Sequence, residues 1–181
     1  MPEKNPLRKL SPDELGRLSV EAYRAAPKLP LRLLLDNVRS RYNVGSLLRS
    51  ADAFRVEKVY LSGYTPAPPH PEIHRSALGA EESVDWEACP DPLPLVEELR
   101  RTGWKVISLE HTTQSISLWD MEWLPPPWLL ILGNELTGVQ DALLAQSDMI
   151  VEIPQFGTKH SLNVAVAGGI ILHEAVRRLM K

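Results

Sequence analysis

The sequence predicts an α/β fold, a mainly parallel sheet with helices on both faces. Three observations carry that reading. Apolar runs at residues 31–36, 58–62, 105–110, 128–132 and 149–153 alternate with stretches of helical period. Two of these runs end in polar, glycine-bearing loops, which is where α/β sheets present binding groups. A chain of 181 residues with 44% hydrophobic content supports one sizeable core and is most simply one folding unit.

Taken in order, residues 11–26 read as an N-terminal helix with Glu14, Arg17, Glu21 and Arg24 outward. After the first strand, residues 44–54 form the clearest helix, with Val44, Leu47, Leu48, Ala51 and Phe54 on one apolar face and Asn43 in position to cap it. The proline-rich segment 65–71 is too stiff and donor-poor for a sheet interior, so it is a loop leading into HRSALGAEESVDW. Residues 91–102 make a further helix, stopped by Gly103 in the left-handed position that follows many helix ends. The triple proline at 125–127 is another loop. The last helix, residues 162–180, is apolar almost all round in its first half and is expected to be buried there. Gly168 and Gly169 inside it each carry a helix penalty of about 1 kcal/mol, which suggests close approach by another backbone.

Composition narrows the function classes. The single cysteine, Cys89, excludes an internal disulfide and a multi-cysteine zinc site, and it reads as a structural thiol in a loop. His70, His74, His111, His160 and His173 lack metal-ligand spacing, so no metal is expected. No apolar run is long enough to span a membrane and no signal-peptide core opens the chain, so the expected location is cytoplasmic. Net charge is -3, but residues 1–60 hold twelve Lys and Arg against seven Asp and Glu, while the remainder is acidic. A basic front on an acidic body is compatible with RNA contact through one face.

Common nucleotide and hydrolase signatures are missing: there is no GxGxxG after the first strand, no GxxxxGK[ST], no GxSxG and no HExxH. What remains is three polar loops. NVRSRYNVGSLLRSADAF (37–54) carries Arg39 and Arg41 before its helix and Arg49 on the helix flank, where spacing alone favours an ordinary solvated arginine. LLILGNELTGVQ (129–140) places Gly133 at the end of a buried run, with Asn134 and Glu135 suited either to helix capping or to a site. EIPQFGTKHSLNVAVAGG (152–169) ends a strand at Pro154; Ser161 suits a helix cap, and Asn163 is a polar residue at the mouth of an apolar helix.

Together the three segments resemble the signature motifs of the SpoU, or TrmH-like, family of RNA 2'-O-ribose methyltransferases, a branch of the SPOUT class. The correspondence rests on Asn43, Gly45 and Arg49 in the first motif, Gly133, Asn134 and Glu135 in the second, and Ile153, Pro154, Ser161, Leu162 and Asn163 in the third, in order and across about residues 31–176. The resemblance implies a C-terminal trefoil knot, which strand order would not suggest because chains generally avoid knots. It also implies a homodimer that binds S-adenosylmethionine through loops carried by Leu109, Glu110, Gly133, Ile153 and Leu162. The methyl group would pass to a ribose 2'-hydroxyl of tRNA or rRNA.

On the same resemblance Arg49 is the catalytic residue, positioned by Asn43, with Glu135, Ser161 and Asn163 orienting substrate or Arg49. Making a guanidinium neutral at pH 7, far below its titration range, would cost about 8 kcal/mol, so a charged Arg49 that stabilises the developing alkoxide is the simpler role. Larger relatives carry an N-terminal RNA-binding domain. Here RNA grip is expected from an N-terminal extension (1–30) preceding the methyltransferase domain (31–181), from Arg39, Arg41, His74 and Arg75, and from the partner subunit. The competing readings are a non-catalytic RNA-binding module of the same fold and an RNA base methyltransferase.

Overall fold

The computed structural model describes residues 7–11 and 13–180. All five predicted runs are strands, and two short ones join them: β1 (Leu29–Asp36), β2 (Val56–Ser62), β3 (Trp86–Cys89), β4 (Lys105–Leu109), β5 (Ile116–Ser117), β6 (Trp128–Leu132) and β7 (Met149–Glu152). They form one parallel sheet in the order β3-β2-β1-β6-β4-β7-β5. The helices are α1 (Val20–Ala25), α2 (Arg41–Ala53), α3 (Pro71–Ala77), α4 (Ala80–Ser83), α5 (Pro92–Arg101), α6 (Asp141–Leu144) and α7 (Val164–Leu179). Among the described residues no helix is long and apolar enough to cross a membrane.

The central strands explain the layering. Every residue of β6 is buried, as are Leu31, Leu33, Leu34 and Leu35 of β1, because both faces of a central parallel strand are covered. Side chains alternate across the pleat, so Leu33, Leu35, Leu130 and Leu132 join Val44, Leu47, Leu48, Ile171 and Leu172 in one core. Leu34, Leu129 and Ile131 join Val96, Leu99 and Leu143 in the other. Each fully buried leucine contributes about 1.5–3 kcal/mol of burial free energy. Against the outer edges the sheet has only the four-residue β3 and the two-residue β5.

Several expectations change. The N-terminal helix expected over 11–26 is a 3-10 turn at Asp13–Leu15 followed by α1, with Gly16 between them at φ 58. Residues 1–6 and 12 of the expected extension lie outside the described residues. Cys89 ends β3 rather than lying in a loop; burial pushes its thiol up, which suits an inert structural role. The HRSALGA segment is not a loop: His74 and Arg75 lie on α3, which begins at Pro71 and is capped by the His70 ring. α2 begins earlier than expected, so Arg41 is its first residue and Ser40, not Asn43, is its N-cap, accepting from the Asn43 N–H at 3.3 Å.

α7 is not buried all round. Val164, Gly168, Ile171, Leu172 and Ala175 face the core, whereas Val166 and Ile170, one turn apart, are 53% and 38% exposed. The close approach at Gly168 is to side chains of Leu47 and Leu132, and Gly169 faces open space. A close approach between helices occurs instead at Gly45, where a Cβ would lie 2.4 Å from the Ile73 carbonyl oxygen and 2.1 Å from the Ser76 hydroxyl. α3 therefore packs directly on the backbone of α2 only because residue 45 has no side chain. Gly45→Ala is expected to destabilise the fold by at least the ~1–3 kcal/mol typical of overpacking, read as a lowered midpoint in urea unfolding; an unchanged midpoint would contradict this packing.

Candidate active site

The loops that leave the C-terminal ends of β4, β6 and β7 surround a cavity of about 280 Å³, the position at which parallel α/β sheets bind ligands. Leu109, Glu110, Gly133, Asn134, Glu135, Ile153, Ser161 and Leu162 are among its lining residues, so all five sequence-predicted cofactor positions come together. Gly133 is required by its own loop, since a Cβ there would sit 2.2 Å from the Val139 nitrogen. The backbone groups of Gly133, Ile153 and Leu162 have no hydrogen-bond partner among the described residues. Unpaired backbone donors and acceptors around a cavity of mixed polar and apolar lining suit a ligand carrying both kinds of group, such as an adenosine with an amino-acid tail.

A hydrogen-bond relay ties the three motifs together. Glu135 Oε2 accepts from the Arg39 N–H at 2.9 Å, and Oε1 accepts from the Ser40 N–H at 3.0 Å and from Asn43 Nδ2 at 2.8 Å. Asn43 Oδ1 then accepts from Asn163 Nδ2 at 3.0 Å. Asn163 Oδ1 accepts from the Ala165 and Val166 N–H groups, which makes Asn163 the N-cap of α7 in place of the expected Ser161. Every donor and acceptor along this path has one assignment, because the carboxylate at one end only accepts and the helix N-terminus at the other only donates. Burial pushes the Glu135 carboxyl up, but the bonds from Arg39, Asn43, its own N–H and Ser40 outweigh it and hold the group below its ordinary range. Such a carboxylate is a structural anchor and a poor proton acceptor.

Two further carboxylates suspend the 134–140 turn. Buried Asp36 accepts from the Gln140 N–H at 2.8 Å and from Gln140 Nε2 at 2.5 Å. Glu110 Oε2 accepts from the Val139 N–H at 2.9 Å, so its side chain holds the cavity wall. Asn134 Oδ1 accepts from the Leu136 and Thr137 N–H groups, and its Nδ2 donates to the Asn37 carbonyl at 2.7 Å and the Tyr64 hydroxyl at 2.8 Å. The expected helix cap at Asn134 is thus a tight turn closed by the Asn134–Gly138 bridge.

Arg49 stands apart. It lies on the exposed stripe of α2 with Tyr42 and Ala53, lines neither cavity, and makes no hydrogen bond or ion pair among the described residues. Six residues beyond Asn43, it sits about 9 Å along the helix axis from the relay. Ser161 is exposed on the cavity rim. His74 Nδ1 pairs with Glu81 at 2.5 Å, and Arg75 approaches the Tyr42 hydroxyl at 3.5 Å on the same side as α2. Sequence reading missed Asp36, Asn37, Tyr64 and Gln140, which bond to partners 26 to 104 positions away, Asp36 also to its neighbour Asn37; the local hint was the glycine after β2.

The family described as the SpoU rRNA Methylase family matches residues 30–173. A 23S rRNA (guanosine-2'-O-)-methyltransferase of Neisseria meningitidis is 32% identical over 82% of this chain and 59% of its own length. A tRNA (guanosine(18)-2'-O)-methyltransferase of Aquifex aeolicus is 30% identical over 82% of this chain and 69% of its own. Among solved structures, the A. aeolicus TrmH/SpoU tRNA modifying enzyme superposes with a TM-score of 0.78 at 26% identity, covering 88% of this chain and 81% of that one. The SpoU methyltransferase AviRb of Streptomyces viridochromogenes, in complex with AdoMet, gives a TM-score of 0.75 at 30% identity over 86% of this chain and 63% of that one. The chain spans only about three fifths of the length of the N. meningitidis relative.

Replacing Glu135 by Gln sets an amide NH2 against the donors of Arg39, Ser40 and Asn43. At neutral pH Glu135→Gln is expected to lower stability by about 1–3 kcal/mol. Because the folded-state pKa is depressed, the stabilisation is fully present above the ordinary value of 4.5 and is lost as pH falls through the lower folded value. Urea unfolding of both proteins across that range should therefore show the difference shrinking toward acid; a pH-independent difference would refute the anchoring role.

Proposed function

This chain belongs to the SpoU rRNA methylase family, and from that membership we propose that it is an enzyme transferring a methyl group from S-adenosylmethionine to a ribose 2'-hydroxyl of tRNA or rRNA. The observation that carries the proposal is the relay Glu135–Asn43–Asn163, which ties the first motif to the second and third, whose loops line the cavity. The catalytic unit is residues 31–181, with 1–30 as an extension, and the site of action is the cytoplasm. The trefoil knot of the C-terminal segment comes with the family.

Leu109, Gly133, Ile153 and Leu162 would hold the cofactor through backbone groups, and Glu110 would keep the facing wall in place. When bound, S-adenosylmethionine supplies an already electrophilic methyl group, so no metal and no covalent enzyme adduct is needed. The protein's task is alignment of the ribose oxygen and stabilisation of the charge that grows on it. Arg49 supplies that stabilisation through its guanidinium cation. Asn43, Glu135 and Asn163 act as positioning residues through the relay, and Ser161 offers a rim hydroxyl to the substrate. Arg39 and Arg41 at the start of α2, with His74 and Arg75 on α3, grip the RNA backbone.

We also infer a homodimer. The stripe of Leu162, Val166 and Ile170 on and beside α7 is apolar and exposed in the single chain, and α7 packs against α2, the helix that carries Arg49. A second subunit seated there would cover the stripe.

Arg49→Ala should reduce kcat/KM by about 10²–10³-fold or more while S-adenosylmethionine binding by calorimetry stays near wild type. Absence of cofactor binding by the native protein would favour a non-catalytic RNA-binding module, and a methylated base in mass spectra of digested product RNA would replace ribose chemistry. Val166→Glu is expected to yield monomers in sedimentation velocity; an unaltered dimer would place the interface elsewhere.

A further inference from the structure

On the far side of the 134–138 turn from the cofactor cavity lies a second, more open groove, lined by Arg39, Arg41, Tyr64, Pro66 and Leu136. Asn134 and Leu136 line both, so the two spaces share a wall. Tyr64 is its notable member: the residue is 61% exposed, yet it is fixed at two points. Its N–H donates to Asn37 Oδ1 at 3.2 Å and its hydroxyl accepts from Asn134 Nδ2 at 2.8 Å. Preceding Gly63 has φ 59, and a Cβ there would lie 2.0 Å from Asn37 Oδ1, so the turn that presents the ring tolerates only glycine.

An aromatic ring held in place with its surface open to solvent is a prepaid stacking platform, because the entropy of ordering it has been spent in folding. The cations beside it are available. Arg39 is exposed, its side chain has no partner among the described residues, and its N–H is clamped by Glu135. Arg41 is 3.7 Å from Glu72 with both side chains about half exposed, a pair of little worth that an anion can displace.

We propose that this groove holds one unpaired nucleotide of the RNA substrate, its base stacked on Tyr64 and its phosphate between Arg39 and Arg41, with its sugar at the wall shared with the cofactor cavity. This rests on the RNA methyltransferase reading and adds the place where the nucleotide sits. Stacking accepts any base, so Tyr64 contributes affinity and placement without reading base identity. A face of two guanidiniums and an open ring suits a phosphate and a base together, which an acidic peptide would not use.

The test is equilibrium binding of short labelled single-stranded RNA to the full chain at fixed salt, with calorimetric S-adenosylmethionine binding as a control for fold. Tyr64→Ala should weaken RNA binding by about 5- to 150-fold, the range of one base–aromatic stack, and leave cofactor affinity unaltered. Tyr64→Phe, which keeps the ring, should retain most of the affinity. Arg39→Ala should lower the slope of log affinity against log salt by about 0.7. An oligonucleotide of abasic sites should bind native protein and Tyr64→Ala equally. If native protein binds RNA and cofactor but Tyr64→Ala matches it, the groove proposal fails and the enzymatic reading stands; if native protein binds neither, both fail.

Discussion

Glu135 is part-buried at the N-terminus of α2, and the arrangement of the site depends on how its charge is satisfied. A carboxylate leaving water must be compensated by donors, and the unpaired N–H groups at a helix start supply them together with the favourable end of the helix dipole. The second motif is thereby docked on the first. Asn43 is spared capping duty because Ser40 performs it, so its amide passes the polarity on to Asn163 and to the start of α7. Two helix N-termini and one strand-end loop are locked by a single directional path.

That path would hold little if the 134–140 turn were loose. Asp36 and Glu110 fix it from opposite sides, one through Gln140 and the other through Val139. Asp36 also accepts from Asn37 Nδ2 at 2.9 Å, which couples the end of β1 to the turn presenting Tyr64. The wall between cavity and groove is therefore held by hydrogen bonds on both faces, and its position is set before any ligand arrives. Pre-organisation of this kind is what a methyl transfer needs, since its chemistry consists largely of alignment.

α2 divides its surface between tasks. Val44, Leu47, Leu48 and Ala51 enter the core, Gly45 admits α3, Asn43 enters the relay, and Arg49 stays in solvent. An arginine without a partner among the described residues, and an exposed apolar stripe on α7, are consistent with a surface completed by something outside the single chain.

Much of this was legible in the sequence. The five long strands, the helix over 91–102 with its Gly103 stop, and the three motif loops follow from hydrophobic period, glycine and proline placement, all properties of neighbouring residues. β3 and β5 escaped notice because, unlike the short but apolar β7, they offer no apolar run, and they are strands only because a neighbour offers its edge. The N-cap of α2 was misplaced because Ser40 and Asn43 are equally good caps locally; Glu135, more than ninety positions away, decides between them. The sequence by itself determined the fold class and which residues carry polar chemistry, since those depend on residue type and local order. Only the tertiary structure decided what each polar group does, that Glu135 anchors, Asn163 caps and Tyr64 stands pinned in solvent, because hydrogen bonding is directional and short-ranged and the partners meet only when distant segments pack.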